Sequence, residues 1–349
     1  MTNDQTISSD VIVVGSGPAG VAAAITCSKA GLATTLVTRA TFREGLSSGE
    51  IPLRPSESVH PGIISLLQMI DVGEAVKISS RSVYDGITVA GNHQPLGSDE
   101  SGAWTGNHID RILFDNYLLG VAKKQSVTLI ESETVSEIVE DANRVAGIRL
   151  ASKKNIRAKY VIDASGHKRF AGKKLKFKEE FYSPAFYVWS GVVENLDPSF
   201  FNAPQAQFIP DANGWSWLAP EPPDCCTWTR LSVLGAKEFH QPPELNAYGS
   251  TKETFAFNRR WRAFRPLVKE GLVLCGDAAA IIDPSAGQGI LNALWSGIKA
   301  GQCVAQCISN PMMESFTLAQ YDDWFMQQFE EKVKRLKEYY SELGIRLFE

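Results

Sequence analysis

The stretch Val11-Ile-Val-Val-Gly15-Ser-Gly-Pro-Ala-Gly20 decides the fold of this 349-residue chain. A β-branched run breaks into a glycine-rich turn, an alanine-rich helix follows, and a second strand is predicted at residues 34–37. In the G-x-G-x-x-G pattern, Gly15 permits the tight turn, Gly17 brings the backbone close to a pyrophosphate, and Gly20 lets the helix pack on the strand. The helix start offers free N–H groups to the phosphates. The stretch therefore predicts a βαβ unit that binds a dinucleotide.

The end of the second strand departs from this pattern. An acidic residue is expected there to accept the ribose hydroxyls, but the chain reads Thr38-Arg39. The Thr38 hydroxyl can still bond a ribose, although more weakly than a carboxylate, and Arg39 can lie against the adenine or a phosphate. The departure affects the expected adenosine contacts and leaves the expected fold unchanged.

Composition narrows the class of protein. With 44% hydrophobic and 21% charged residues the chain is typical of a globular enzyme, and its net charge of −4 gives no reason to expect nucleic acid as a partner. No stretch approaches the ~18 apolar residues of a membrane span, and the polar start has no signal-peptide core, so we expect a cytoplasmic protein. The six cysteines lack the spacing of a zinc site or a disulfide framework, so no metal is expected. Cys225-Cys226 is either a redox pair or two small hydrophobes.

Arg54 begins a polar segment that precedes a helix predicted at residues 62–70. The segment reads Arg54-Pro-Ser56-Glu57-Ser58-Val-His60-Pro61 within a region, residues 42–61, that we expect to be a loop. Ser56 or Ser58 would cap the helix in one interpretation. In the other, Arg54 contacts a pyrophosphate.

Further along the chain, strands again end in small residues. Arg111 stands at a predicted helix start that opens at Asn107, and a strand ends in Asp163-Ala-Ser-Gly166, where backbone can approach a ligand. A buried strand at residues 272–275 leads into Gly276-Asp277, and Asp283-Pro284-Ser-Ala-Gly287-Gln288-Gly289-Ile290 heads a helix expected to run through residue 300. Two cofactor-like elements some 260 residues apart suit a ligand longer than a nicotinamide dinucleotide, namely flavin adenine dinucleotide (FAD).

The segment from residue 171 to 264 changes character, because it holds five of the eight tryptophans. Alternation around Trp215-Ser-Trp217, after an Asn-Gly turn, predicts antiparallel strands with one aromatic face. Such a face is either packed core or the wall of a substrate pocket. The tail from Leu318 carries apolar residues at helical spacing, which predicts a packing helix with a partner surface as the alternative role.

Taken together, Gly15–Gly20, Arg111, Asp163–Gly166 and Gly276-Asp277-Ala-Ala resemble the flavoprotein monooxygenases of the p-hydroxybenzoate hydroxylase type. That superfamily also includes flavin halogenases and geranylgeranyl reductases. The resemblance covers nearly the whole chain and implies an α/β fold, with a Rossmann-like FAD-binding domain of the glutathione-reductase type, an inserted antiparallel β-sheet substrate domain and a C-terminal helix. The implied limits are residues 1–80, 104–170 and 265–310 for the FAD domain, 81–103 and 171–264 for the substrate domain, and 311–349 for the helical tail.

Three segments narrow the resemblance. Ser56–Pro61 looks like a G-E-S-x-x-P segment, Asp283–Ile290 looks like D-P-x-x-x-x-G-I, and Tyr339-Tyr340-x-Glu342 is similar to the tail of a small subgroup. Members of that subgroup mature the tryptophylquinone cofactors of amino-acid oxidases, such as lysine ε-oxidase and glycine oxidase, by hydroxylating a tryptophan of the partner protein. Tryptophan halogenases are the nearest rival, because Trp215–Pro220 resembles their W-x-W-x-I-P signature. Their essential lysine falls in a stretch that here contains Asp85, which disfavours halogenation.

The resemblance implies a reaction in which reduced flavin and molecular oxygen form a C4a-hydroperoxide that an electron-rich indole attacks. The reductant would be NAD(P)H or another donor. The residues implied to hold FAD are Gly15, Gly17, Pro18, Ala19, Gly20, Thr38, Arg39, Arg54, Ser56, Glu57, Arg111, Gly276, Asp277, Pro284, Gly287, Gln288, Gly289 and Ile290.

The catalytic residues that we expect are Asp283, His60, Trp215 and Trp217. Asp283 would act as an acid/base or positioning carboxylate with His60 behind it, or it would only cap the following turn. The two tryptophans would wall the site. Alternative functions are hydroxylation or halogenation of a small indole or phenol, geranylgeranyl-type reduction, and a non-catalytic flavin-binding maturation chaperone.

Overall fold

The computed structural model describes residues 7–100, 102–197, 205–232, 241–248, 255–258 and 260–346. The helices of these ranges are α1 (Pro18–Lys29), α2 (Ile63–Met69), α3 (Ala75–Ser79), α4 (Arg111–Lys124), α5 (Phe170–Lys174), α6 (Gly289–Ser309) and α7 (Glu314–Glu342). The strands are β1 (Ile7–Val14), β2 (Thr34–Val37), β3 (Glu57–Val59), β4 (Ser80–Tyr84), β5 (Gly86–Val89), β6 (Asn92–Pro95), β7 (Ser98–Asp99), β8 (Gly102–Ala103), β9 (Gly106–Ile109), β10 (Thr128–Ile130), β11 (Val135–Asp141), β12 (Arg144–Leu150), β13 (Asn155–Asp163), β14 (Lys178–Phe181), β15 (Tyr187–Val193), β16 (Ala206–Asp211), β17 (Gly214–Glu221), β18 (Cys225–Ser232), β19 (Phe255–Asn258), β20 (Arg262–Arg265), β21 (Val268–Lys269), β22 (Leu272–Leu274) and β23 (Ala280–Ile281).

A mixed sheet, in which β10, β2, β1, β13 and β22 run parallel, brings the predicted cofactor turns together. Its order is β10-β2-β1-β13-β12-β11, with β22 parallel to the end of β13. Val14 is in register with Asp163, and Asp163 is in register with Leu274. Because the carboxyl ends of these three strands coincide, the turns that follow them lie side by side at one edge of the sheet. The predicted βαβ unit is confirmed, with the second strand at the predicted residues.

Helices α1 and α6 pack closely against each other above this edge. A Cβ on Gly297 would lie 2.2 Å from the Ala19 carbonyl oxygen, and one on Gly301 would lie 2.8 Å from the Thr26 Cβ. These glycines therefore allow the helix backbones to approach. The N-terminal ends of both helices open onto the same region of the molecule.

A second sheet, of order β19-β15-β18-β17-β16-β5-β6, provides the opposite side. Its pairings are antiparallel except for β16 and β5, so the predicted antiparallel sheet is confirmed. Both interpretations of the aromatic face hold in part. Trp189 and Trp228 pack in a small separate core, whereas Trp215 and Trp217 reach the cavity described below.

Two local predictions were wrong at their boundaries. Residues 57–59 form strand β3 inside the expected loop, and α2 begins after Gly62 with no side-chain cap, so neither Ser56 nor Ser58 caps it. The helix expected to open at Asn107 begins at Arg111, because residues 106–109 pair with β3 and β4. The Asp110 carboxylate caps that helix by accepting from the backbone N–H groups of its first turn.

The last two helices are longer than the sequence indicated. Helix α6 continues to Ser309 instead of ending at residue 300, and its buried face rests on α1. Along α7 the predicted apolar stripe is buried from Leu318 to Tyr340. The predicted α/β architecture with a C-terminal helix is confirmed. Neither α6 nor α7, nor any other helix of the described ranges, combines the length and apolarity that a membrane crossing requires.

Candidate cofactor and substrate site

A cavity of about 710 Å³ lies between the parallel sheet edge, the antiparallel sheet and α7. Its volume is in the range of sites for small molecules and cofactors. Thirteen of the predicted cofactor-binding residues line it: Gly17, Pro18, Ala19, Arg54, Ser56, Glu57, Arg111, Gly276, Asp277, Pro284, Gly287, Gly289 and Ile290. All four predicted catalytic residues, Asp283, His60, Trp215 and Trp217, line it as well.

The glycine motif forms the first wall. A Cβ on Gly20 would lie 1.8 Å from the Gly15 carbonyl oxygen, and one on Gly15 would lie 2.4 Å from the Ala164 carbonyl oxygen, so both glycines serve close backbone packing. A Cβ on Gly17 would meet no atom within 4 Å. The open space is therefore above Gly17, where the pattern places a pyrophosphate.

Two helix N-termini face this cavity without side-chain caps. Helix α1 starts after Gly17 with Pro18 in its first turn, and α6 starts after Gln288. Each leaves backbone N–H groups and the positive end of a helix dipole free for an anionic or polarised ligand. The pair of uncapped ends suits a ligand with a phosphate at one end and a polar ring at the other.

Arg111 is held between two carboxylates at the cavity wall. Its guanidinium donates to the Glu57 Oε2 at 2.5 Å and to the Asp115 Oδ2 at 2.9 Å. Burial alone would lower the pKa of Arg111, but Asp115 and Glu57 outweigh it and raise that pKa. The carboxylates of Glu57 and Asp115 thus balance the positive charge of the protonated Arg111 side chain. The Ser56 hydroxyl next to Glu57 is buried and has no partner among the described residues, as expected for a group that a ligand would satisfy.

The remaining predicted cofactor residues lie outside the lining. Gly15 and Gly20 are covered by backbone, and Gln288 precedes α6. The Thr38 hydroxyl is buried and hydrogen-bonded to the Ser16 hydroxyl at 2.6 Å, while it accepts from the Ala40 N–H. Arg39 is exposed at the surface. The hydroxyl expected to bind the ribose is therefore engaged within the protein.

Asp283 holds a turn and an indole in place. One carboxylate oxygen accepts from the Ser285 N–H at 2.7 Å and the other accepts from the Trp261 Nε1 at 3.1 Å. Burial raises the pKa of Asp283, and these hydrogen bonds oppose the rise. Asp283 therefore caps the following turn, and its role as an acid/base or positioning carboxylate stays a prediction.

Tyr340, at the end of α7, completes this cluster. The Trp215 Nε1 donates to the Tyr340 hydroxyl at 2.6 Å, and that hydroxyl lies 3.4 Å from the Ser285 hydroxyl. Trp215 is 1% exposed and Tyr340 is fully buried. The tail helix thereby fixes the orientation of a cavity-lining indole, which sequence spacing alone does not reveal.

Trp217 is fixed through a different chain of contacts. Its Nε1 donates to the Ser58 Oγ at 3.0 Å, and that hydroxyl lies 2.8 Å from the His108 Nδ1. His108 is fully buried and stacks on Tyr84 with ring centroids 4.5 Å apart. Burial lowers the pKa of His108 to about 3, so the ring is neutral, and a hydrogen bond joins its Nδ1 to the Ser58 hydroxyl.

His60 lies in the cavity wall and contacts Gly62 and Trp104. The His60 Nδ1 accepts from the Gly62 N–H at 3.0 Å, and its ring meets Trp104 edge-on at 5.7 Å. A neutral histidine whose Nδ1 accepts carries its proton on Nε2, so that atom is a donor. Both His60 and Asp283 line the cavity, and the pairing of the two stays a prediction.

The third wall comes from α6 and α7 and was missed by the sequence analysis. It contributes Asn292, Ala293, Trp295, Ser296, Trp324, Phe325, Gln328, Phe329 and Lys332. The i, i+4, i+8 spacing of Trp324, Gln328 and Lys332 is the signal that marks one helix face. The apolar stripe of α7 indicates the adjacent, buried face of the helix.

Cys225 and Cys226, at the start of β18, are free thiols that form no disulfide. Burial raises the pKa of Cys225 to about 11 and raises the pKa of Cys226 further. Both thiols are therefore protonated near neutral pH, which favours the small-hydrophobe interpretation over a redox pair.

Comparisons with known proteins agree with this site. The family model described as FAD dependent oxidoreductase matches residues 10–171. A digeranylgeranylglycerophospholipid reductase of Methanococcoides burtonii is 27% identical over 90% of this chain and 78% of its own length. A 1H-pyrrole-2-carbonyl-[peptidyl-carrier protein] brominase of Pseudoalteromonas luteoviolacea is 25% identical over 90% of this chain and 81% of its own length.

Among solved structures, the fold is similar to that of a peptidyl tryptophan dihydroxylase essential for tryptophylquinone cofactor biogenesis. The TM-score is 0.72 at 20% identity, over 97% of this chain and 76% of that chain. The matched family region contains most of β1, α1, Arg111 and the turn after β13, which form part of the cofactor side of the cavity. Residues 10–171 of the chain are thus similar to FAD-dependent oxidoreductases, and its relatives over most of its length are named as a reductase and a brominase.

Proposed function

We propose that this protein uses FAD and molecular oxygen to hydroxylate a tryptophan residue of a partner protein, a quinone-cofactor amino-acid oxidase, in the cytoplasm. The observation that carries the proposal is the continuity of the cavity. It runs from two uncapped helix N-termini, which suit FAD, to the indoles of Trp215 and Trp217, which suit an aromatic substrate.

The chain's own groups fit the cofactor. The start of α1 would hold the pyrophosphate, Asp277 would bind sugar-alcohol hydroxyls, and the start of α6 beyond Gly287 would face the pyrimidine edge of the ring. The unsatisfied Ser56 hydroxyl offers a further contact. When bound and reduced by NAD(P)H or another donor, FAD supplies the activation of oxygen.

The protein's contribution to the chemistry is orientation. An indole is electron-rich, so the reaction needs no nucleophile or metal from the chain. Asp283 has both oxygens engaged and acts as a positioning residue for the turn at Pro284. The proton on the His60 Nε2 would be offered to an oxygen in the cavity, and the Trp217 indole is held in one orientation by Ser58.

Two comparisons support a substrate that arrives on a protein. The structural neighbour is by its title a peptidyl tryptophan dihydroxylase, and the brominase acts by its name on a pyrrole carried by a carrier protein. Both names describe a nitrogen heterocycle attached to a larger molecule. The α7 wall and the indoles of β17 provide a comparable space here.

The test combines the FAD-loaded protein with its unmodified partner, a reductant and air. We expect the partner to gain the mass of one or two oxygen atoms on a single tryptophan. Anaerobic samples and a partner with that tryptophan changed to phenylalanine are the controls. No mass gain would refute the proposal, and partner binding without any turnover would favour a chaperone.

Two assays with other substrates test the alternative functions. Bromide-dependent addition of halogen would favour a halogenase. NAD(P)H-dependent reduction of an isoprenoid double bond without oxygen would favour the reductase activity that the archaeal relative is named for.

A further inference from the structure

Lys332 is a cation in the cavity with no carboxylate partner. It is half-buried on α7, and its Nζ donates to the Asn292 Oδ1 on α6. The same Nζ lies 5.9 Å from the centroid of the Trp295 ring. Among the carboxylates of the described ranges, none forms an ion pair with it, whereas Arg111 at the other end is paired with two.

Lys332 lies near two indole rings and a side-chain amide. The rings of Trp295 and Trp324 meet edge to face with centroids 5.2 Å apart, and Gln328 stands one turn before Lys332 on the same face of α7. Burial lowers the pKa of Lys332, and the positive charge of Arg335 adds to the effect. An ammonium has three donors, of which Asn292 uses one. A partly buried charge in such a place is costly until an anion approaches it.

We propose that the α6–α7 end of the cavity is a subsite for a carboxylate carried by the aromatic substrate, with Lys332 as its ion-pair partner. The proposal rests on the proposed function for the aromatic ring and adds the chemistry of the second group. Gln328 would donate a further hydrogen bond, and the Trp295 and Trp324 rings would cover the apolar link between ring and carboxylate. The carboxylate belongs either to a free indole acid or to an acidic residue beside the target tryptophan.

The binding test uses the FAD-loaded protein without reductant. Indole-3-acetate is compared with 3-methylindole, which has the same ring and lacks the carboxylate. We expect the acid to bind roughly tenfold to hundredfold more tightly, as charged hydrogen bonds in a desolvated site allow. Lys332→Met should remove this preference. Lys334→Met, which changes an exposed lysine of the same helix outside the cavity lining, should retain it.

A second arm distinguishes the two sources of the carboxylate. Tryptophan peptides with a neighbouring glutamate are compared with peptides that carry glutamine there. A Lys332-dependent preference for glutamate identifies the partner protein as the source, and a preference confined to indole-3-acetate identifies a free acid. No preference in either arm, or a preference that persists in Lys332→Met with full flavin content, overturns the subsite.

Failure of the subsite and failure of the proposed function give different results. If oxygen is added to the partner while Lys332→Met binds both probes like the unchanged protein, the subsite is wrong and the function stands. If the acid preference depends on Lys332 while no oxygen is added, the function is wrong and the subsite stands.

Discussion

Tyr340→Phe tests whether the tail helix holds a cavity indole in place. The change removes one oxygen atom and keeps the ring, so packing is nearly unchanged. The Trp215 Nε1–H then loses its acceptor at 2.6 Å. Because Trp215 is 1% exposed and Tyr340 is fully buried, water does not replace the lost contact. A buried donor left without a partner costs about 1–3 kcal/mol, so we expect the free energy of unfolding to fall by that amount.

Tyr339→Phe is the matched control. Tyr339 is the neighbouring residue on α7, it is half-buried, and its hydroxyl makes no hydrogen bond within the described structure. Its loss should change the free energy of unfolding by less than about 0.5 kcal/mol. Urea unfolding of the FAD-loaded variants, followed by circular dichroism, measures both values.

A double-mutant cycle with Trp215→Phe isolates the contact. In the Trp215→Phe background the indole N–H is already gone, so Tyr340→Phe should cost only its contacts with Asp283 and with Ser285, the latter at 3.4 Å. We therefore expect a coupling energy of about 1–3 kcal/mol between the two positions. Equal effects of Tyr340→Phe and Tyr339→Phe, or additive effects in the cycle, would refute the assigned contact.

Three further changes test other parts of the site. Gly20→Ala should abolish the flavin-binding fold, because its Cβ would lie 1.8 Å from the Gly15 carbonyl oxygen. Gly17→Ala should fold, because its Cβ would meet no atom within 4 Å. The two variants are compared by their soluble yield and by the amount of bound flavin. Burial lowers the pKa of His108 from 6.5 to about 3, so the imidazole takes up a proton more readily in the unfolded chain than in the folded one. The contribution of the neutral ring to the free energy of unfolding should therefore be fully present above pH 6.5 and fall by about 1.4 kcal/mol per pH unit toward pH 3. His108→Gln should remove this share of the pH profile of urea unfolding. Ser58→Ala takes the acceptor from a cavity indole, so it should slow oxygen transfer in the mass assay while bound FAD stays unchanged.

Local pattern was enough to predict the turns that the structure brings together around one cavity. Each of these turns is part of a short strand, turn and helix whose signals lie within about ten residues, as at Gly15–Gly20 and Gly276-Asp277. Strand register then brings these turns together, and parallel topology makes that outcome expected. The errors fall where a polar segment had two local interpretations. Residues 57–59 became a strand because β9 was available to pair with them.

The substrate side depends on contacts that no local pattern contains. Trp215 meets Tyr340 across 125 positions, and Trp217 meets Ser58 across 159 positions. Amphipathic spacing on α7 predicts that one face is buried, but it does not predict that the face beside it, with Trp324, Gln328 and Lys332, closes a cavity.

The cofactor side and the substrate side of the cavity are therefore expected to tolerate substitution differently. The cofactor side is set by backbone geometry, which tolerates few changes, as the close approach at Gly20 shows. The substrate side is set by side chains on three separate elements, β17, α6 and α7. We expect that substituting a side chain such as Lys332 changes what the cavity binds without moving the strands of the proposed flavin site. We therefore expect the substrate preference of this chain to depend on the side chains of β17, α6 and α7 and not on the glycine motif.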